Sequence, residues 1–223
     1  MGMKVIFSSL FALGCIVFAL VFAFEWLKFG QTGDKKYNFL TYFPFELNQF
    51  HRSNKKSYLL AILSFFASAC LITSLLFFML LTVKVHKITA SVLFIVGTLT
   101  IISFNVLRFV KLTNFKLHLV CSTVNMFFNL LLLVLYYLFF TNERIGYVFM
   151  TNVRIILMIV ILIFVLFEFV LMVNKSYKDW FRLVKIEEGV YSRPKKCYLA
   201  MLEWGNFLIT ILSFVPLFIV LFL

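Results

Sequence analysis

The chain has 223 residues, of which 63% are hydrophobic, 31 are Phe and only 13% are charged, with a formal net charge of +12. A soluble domain of this size has too little interior to hide so much apolar side chain, so lipid is the solvent for most of its surface. The positive charge does not mark a nucleic-acid binder, because the cations sit at the ends of apolar runs and not on one basic domain with interleaved base-stacking aromatics.

Hydrocarbon about 30 Å thick is crossed by roughly 20 helical residues at ~1.5 Å each. With no water to satisfy peptide groups, a span is a helix or a closed barrel, and uninterrupted apolar runs exclude the alternating barrel pattern. The expected architecture is all-α: a polytopic membrane helix bundle of six transmembrane helices, one transmembrane domain over 1–223. The spans fall at 5–27, 58–83, 88–107, 117–140, 155–173 and 198–223.

The apolar run after Lys4 is longer than the roughly 7 to 15 residues of a signal-peptide core, so it reads as a retained helix. Ile6 stands where a myristoylation signal requires Ser or Thr, and no lipid anchor is expected. Span one carries a stripe of small residues, Ser8, Ala12, Cys15, Ala19 and Ala23, and span two carries Ala61, Ser64 and Ser68; both suit close helix approach. Span three has Ser91, Thr98 and Asn105, with Arg108 just beyond it. Span four has His118, Cys121, Ser122, Asn125 and Asn129, and span six has Glu203, Asn206, Thr210 and Ser213. Each of these polar sets shares one helical face. Span five has no polar residue between Ile155 and Phe167 and is expected at the periphery. Pro216 is expected to loosen span six by freeing the carbonyl of Leu212. Cys15, Cys70, Cys121 and Cys197 have no C-x-x-C spacing and read as packing residues. The first three spans share no motif with the last three, which argues against an inverted-repeat transporter.

Orientation follows from the cations. Of the 21 Lys and Arg, only Lys4, Lys84, Lys87, Arg144 and Arg154 lie on the side of loops two and four. The positive-inside rule therefore places loops one, three and five in the cytosol and both termini on the non-cytosolic side. On that reading the Asn174-Lys175-Ser176 match to a glycosylation acceptor is a chance one. The first loop, aromatic and basic around Pro44, is expected to dip into the headgroups. The stretch 175–185 has Tyr177, Trp180, Phe181 and Val184 at helical intervals among Lys178, Arg182 and Lys185, which suits a short interfacial helix. Anionic lipid headgroups are the expected partners of these basic loops, with a second membrane protein as a further one.

With this orientation Arg108, Asn105, His118, Asn125, Glu168, Glu203 and Asn206 fall in the cytosolic half of the bilayer, and with Asn129 they form the candidate intramembrane polar cluster. A charge at membrane depth costs at least ~2.5 to 3.5 kcal/mol on insertion scales, so such residues have partners or a function. Arg108, at a helix end, is expected to snorkel to the headgroups. Glu168 and Glu203 are expected to pair with Arg108 or a lysine of loop three, with proton or cation binding as the alternative. Asn125 and Asn129, one turn apart, suit interhelical hydrogen bonds.

No H-E-x-x-H, G-x-S-x-G or P-loop occurs, Asp34 and Asp179 are the only aspartates, and His51, His86 and His118 are scattered. Nothing here supports an enzyme, and no metal or cofactor is implied. The Glu25-Trp26-Leu27 exit of span one resembles the tryptophan that follows the first helix in claudin-like four-span proteins, but the paired loop cysteines are absent and the span count differs. The expected role is a non-enzymatic subunit or scaffold that binds other membrane proteins or lipids. The alternative is a small transporter or channel with its site in the polar cluster.

Overall fold

The computed structural model of the chain describes residues 2–29, 44, 56–82, 87–110, 114–141, 151–174, 185–187, 190–191 and 198–215. Within them lie six helices: α1 (Gly2–Phe29), α2 (Lys56–Thr82), α3 (Lys87–Phe109), α4 (Phe115–Thr141), α5 (Thr151–Val173) and α6 (Tyr198–Leu212). Five are long and apolar enough to cross a membrane, and α6 contributes the shorter apolar stretch Ala200–Leu212. The architecture is a helical bundle of the membrane type. A small antiparallel hairpin, β1 (Lys185–Glu187) and β2 (Val190–Tyr191), precedes α6.

Helix α6 covers the first part of the expected span 198–223. It ends at Leu212, after which Ser213 N–H donates to the Ile209 carbonyl at 2.7 Å and Phe214 N–H to the Ile211 carbonyl at 3.3 Å, a tightened last turn. The proline ring two residues on, at position 216, would collide with the Leu212 carbonyl, and a residue before proline is biased away from helix. The regular helix is interrupted at Ser213 and Phe214, and Val215 is again helical. Pro216 and the remainder of the 198–223 span lie outside the described residues, as do Tyr177, Trp180, Phe181, Val184 and Cys197. Lys185, expected in an interfacial helix, instead opens β1.

Burial is inverted relative to a soluble domain. Phe24, Ile163 and Phe169 are more than half exposed, whereas Ser64, Asn125, Asn129, Glu168 and Glu203 are completely buried. A surface of large apolar side chains around a polar-bearing interior is stable only against hydrocarbon. The chain winds so that each helix packs on the next from α1 to α4, α5 packs on α4, and α6 closes against α5 and α4. The main core gathers Leu75, Phe77, Phe78, Leu93, Met126, Leu132 and Tyr136. A second, smaller core joins Phe18, Ala67, Phe104, Leu107, Trp204 and Phe207. Helix α5 lies at the periphery as expected: Ile155, Ile156, Ile159, Ile163, Leu166 and Phe167 are exposed, and only Leu157 and Ile161 of its apolar stretch point fully inward.

Close approach of α1 to α2 uses only part of the stripe that the sequence suggested. Helix α1 turns Ser8, Phe11, Phe18, Val21 and Glu25 inward, while Ala19 and Ala23 stay exposed. The residue that admits α2 is Gly14, where an added Cβ would lie 3.0 Å from the Ala67 carbonyl oxygen and 3.1 Å from Cys70 Cβ. Backbone cannot swing aside, so Gly14→Val should destabilise the bundle by about 1 to 3 kcal/mol through overpacking. Ala19→Val, on the exposed side, should leave the melting temperature in detergent near wild type. Thermal unfolding of the two variants, followed by loss of the monodisperse size-exclusion peak, checks this.

Candidate functional site

Three groups of buried polar residues organise the bundle, together with two concavities, an apolar cleft between α1 and α6 and a groove of about 710 Å³ beside Ser68 and Asn105. The first group joins α1, α2 and α3 at the end that carries loops one and three. Arg108, in the last turn of α3, is 4% exposed and its Nη2 donates to Glu25 Oε1 of α1 at 2.6 Å. Its Nη1 donates to the Ser64 hydroxyl of α2, and its guanidinium lies over the Phe18 ring at 5.3 Å from the centroid. The snorkelling expected of Arg108 does not occur, because a carboxylate, a hydroxyl and a π face reach it inside the bundle. One turn earlier, Asn105 Nδ2 donates to Ser68 Oγ at 2.7 Å and to the Ile101 carbonyl at 2.9 Å, and the Ser68 hydroxyl donates to the Ser64 carbonyl at 2.8 Å. Ser64 and Ser68 of α2, read from sequence as small packing residues, thus also serve as polar partners for α3.

The second group joins α4 to α6. His118 Nε2 sits 3.1 Å from Glu203 Oε1 and 3.3 Å from Oε2, with both side chains fully buried. Glu203 was expected to take Arg108 or a lysine of loop three; it meets His118 because α6 runs beside α4, while Arg108 is turned toward α1. Deeper along the same helices, Asn206 Nδ2 donates to Asn125 Oδ1 at 2.9 Å, and Asn125 Nδ2 donates to Ser103 Oγ of α3 at 3.0 Å. The interhelical bonding expected of Asn125 is present, and it links three helices.

The third group is Glu168 of α5 with Asn129 of α4. Both are completely buried, and the Asn129 amide faces the Glu168 carboxyl. The two do not close a hydrogen bond of ordinary geometry, and all four of their side-chain polar atoms lack a partner among the described residues. Glu168 therefore does not meet Arg108 either. The packing of Gly205 against Leu171 and Phe167 sets the α6 turn that bears Asn206 beside the α5 turn that bears Glu168.

All eight residues of the candidate cluster are buried, but they divide into these three neighbourhoods. Glu25 was missed as a member. The available signal was an acidic residue one turn inside the end of an apolar run, facing inward with Phe18 seven residues earlier.

Between α1 and α6 lies a cleft of about 800 Å³, lined almost wholly by apolar side chains including Cys15, Ala19, Ala23, Trp26, Met201 and Leu208. Its floor is a lattice of rings. Phe22 meets Trp204 edge-on at 5.5 Å and Phe207 at 4.8 Å, and Phe104 meets Phe18 at 5.3 Å and Phe207 at 5.4 Å. Helices α1 and α6 thus meet through long aromatic side chains, which leaves the space between their backbones open. The small residues Ala19 and Ala23 widen the cleft instead of sealing a helix contact. Among the described residues no group of three or more His, Cys, Asp or Glu is placed to hold a metal ion.

No protein-family model matches this chain, and neither a curated protein nor a solved structure matches it.

Removing one partner of a buried ion pair leaves the other charge uncompensated, which costs about 3 to 5 kcal/mol, whereas replacing both by apolar residues is often neutral. Glu25→Leu and Arg108→Met should each lower thermal stability strongly, and the double variant should recover much of the loss. A double-mutant cycle on melting temperature in detergent reads the coupling directly.

Proposed function

We propose that this multi-pass membrane protein is a non-enzymatic scaffold that holds membrane lipid in the α1/α6 cleft. The observation that carries the reading is a division of labour among side chains. The ionisable groups on α1, α3, α4 and α6 satisfy one another as Glu25 with Arg108 and His118 with Glu203, while the large cleft is apolar. Paired charges lock helices together, and an apolar space of this size opening among spanning helices takes acyl chains. The basic residues of loops one, three and five would sit at the cytosolic leaflet, where each Lys or Arg near an anionic surface contributes about 1 kcal/mol of attraction. Both termini would then be non-cytosolic.

Native mass spectrometry of the protein extracted in mild detergent tests the reading. Lipid adducts are expected on the wild type and should be lost in Ala19→Trp and Ala23→Trp, which fill the cleft from an exposed face and should leave the melting temperature unchanged. Adducts that persist in both variants would remove the cleft from the account. A stoichiometric protein in place of lipid would make the cleft a seat for a partner helix. Solute exchange across liposomes that Glu203→Gln abolishes without unfolding would replace the scaffold by a transporter. Tags at the two termini, probed from the cytosolic side, check the orientation, with protection of both expected.

A further inference from the structure

The Glu168 and Asn129 pair takes no part in the cleft or in the two ion pairs, and its hydrogen-bonding capacity is unbalanced in an informative way. Asn129 lies 14 residues into α4, about 20 Å from the start of that helix at ~1.5 Å per residue, and Glu168 lies five residues before the end of α5; both side chains are completely buried. Within the pair the unmet groups are mostly acceptors: both Glu168 oxygens and Asn129 Oδ1, with the Asn129 amide as the donor. Helices α4 and α6 pack against α5, and the titratable groups they turn fully inward are His118, Tyr136 and Glu203; His118 and Glu203 are bound to each other, and Tyr136 is two turns along α4 from Asn129. The cations of α4 and α5 are Lys116 and Arg154, each roughly three and a half turns away along its own helix. No cation among the described residues is placed to neutralise a Glu168 carboxylate.

We propose that Glu168 is a proton-binding site, carrying its proton as a neutral carboxylic acid that pairs reciprocally with Asn129. The acid O–H donates to Asn129 Oδ1 and the Asn129 Nδ2–H donates to the acid carbonyl, so one added proton satisfies all four orphaned atoms in a single cyclic arrangement. The ionised form satisfies at most the amide donor. It leaves Asn129 Oδ1 facing an anion and places an unpaired charge in a completely buried position, where it is expensive.

The test is infrared spectroscopy of the full-length protein in lipid nanodiscs at neutral pH. A protonated-carboxyl C=O band is expected in the wild type. It should vanish in Glu168→Gln, which keeps the cyclic pairing through its amide, and shift in Asn129→Ala, which removes the partner. Wild-type protein labelled with ¹³C-glutamate needs no variant: the band should move with the isotope. Superimposable spectra of wild type and Glu168→Gln in the acid region would overturn the assignment, as would a band that ignores the isotope. Spectra taken with and without sodium separate the remaining possibility, since a band that appears only in sodium-free buffer would mean that a metal cation, not a proton, is the resident charge.

Discussion

A guanidinium inside hydrocarbon is tolerable only where other groups surround it, and the Arg108 node meets that demand by drawing on three helices at once. Glu25 supplies the charge, Ser64 a hydroxyl acceptor and Phe18 a π face. Each contact fixes a different rigid element relative to α3. Because the pair is almost wholly buried, a shift of any one helix would strand a charge, so the node acts on the relative placement of α1, α2 and α3 more than on net stability. The asparagine relay through Ser103, Asn125 and Asn206 does the same for α3, α4 and α6 without charge.

Much of this was legible in the residues, and for identifiable reasons. Span length and the polar faces of α3, α4 and α6 follow from two rules, the rise of a helix and the cost of bare polar groups in lipid, so five helix positions and the burial of the eight cluster residues were accessible. Partner choice was not. Which carboxylate meets Arg108 depends on helix rotation and neighbour order, and a carboxylate near a span end, such as Glu25, looks from sequence like an interfacial residue. The small-residue stripe of α1 misled for a related reason. Ala19 and Ala23 permit close packing but do not require it, whereas Gly14 stands where an actual backbone leaves no room.

The two halves of the bundle are built differently. From α2 to α5 the helices pack through large interlocking side chains such as Phe77, Phe78, Phe139 and Leu132, and a groove of about 710 Å³ opens beside Ser68 and Asn105 where α2 meets α3. Helix α1 is held on α2 along one side only, and toward α6 it meets rings. Aromatic edges and faces allow many contact geometries of similar energy, so the cleft wall formed by α1 accommodates shape changes that the α3/α4 side does not.

The Glu25 to Arg108 bond also imposes a schedule on manufacture. The two residues are 83 positions apart, and His118 and Glu203 are 85 apart. A chain made from its amino end therefore brings α1 into the bilayer with a carboxylate whose counter-ion has not yet been synthesised, and α4 with an imidazole in the same position. Until α3 arrives, α1 is a poor lodger in lipid, and a nascent chain halted after α2 would display the very acidic residue that the finished bundle conceals.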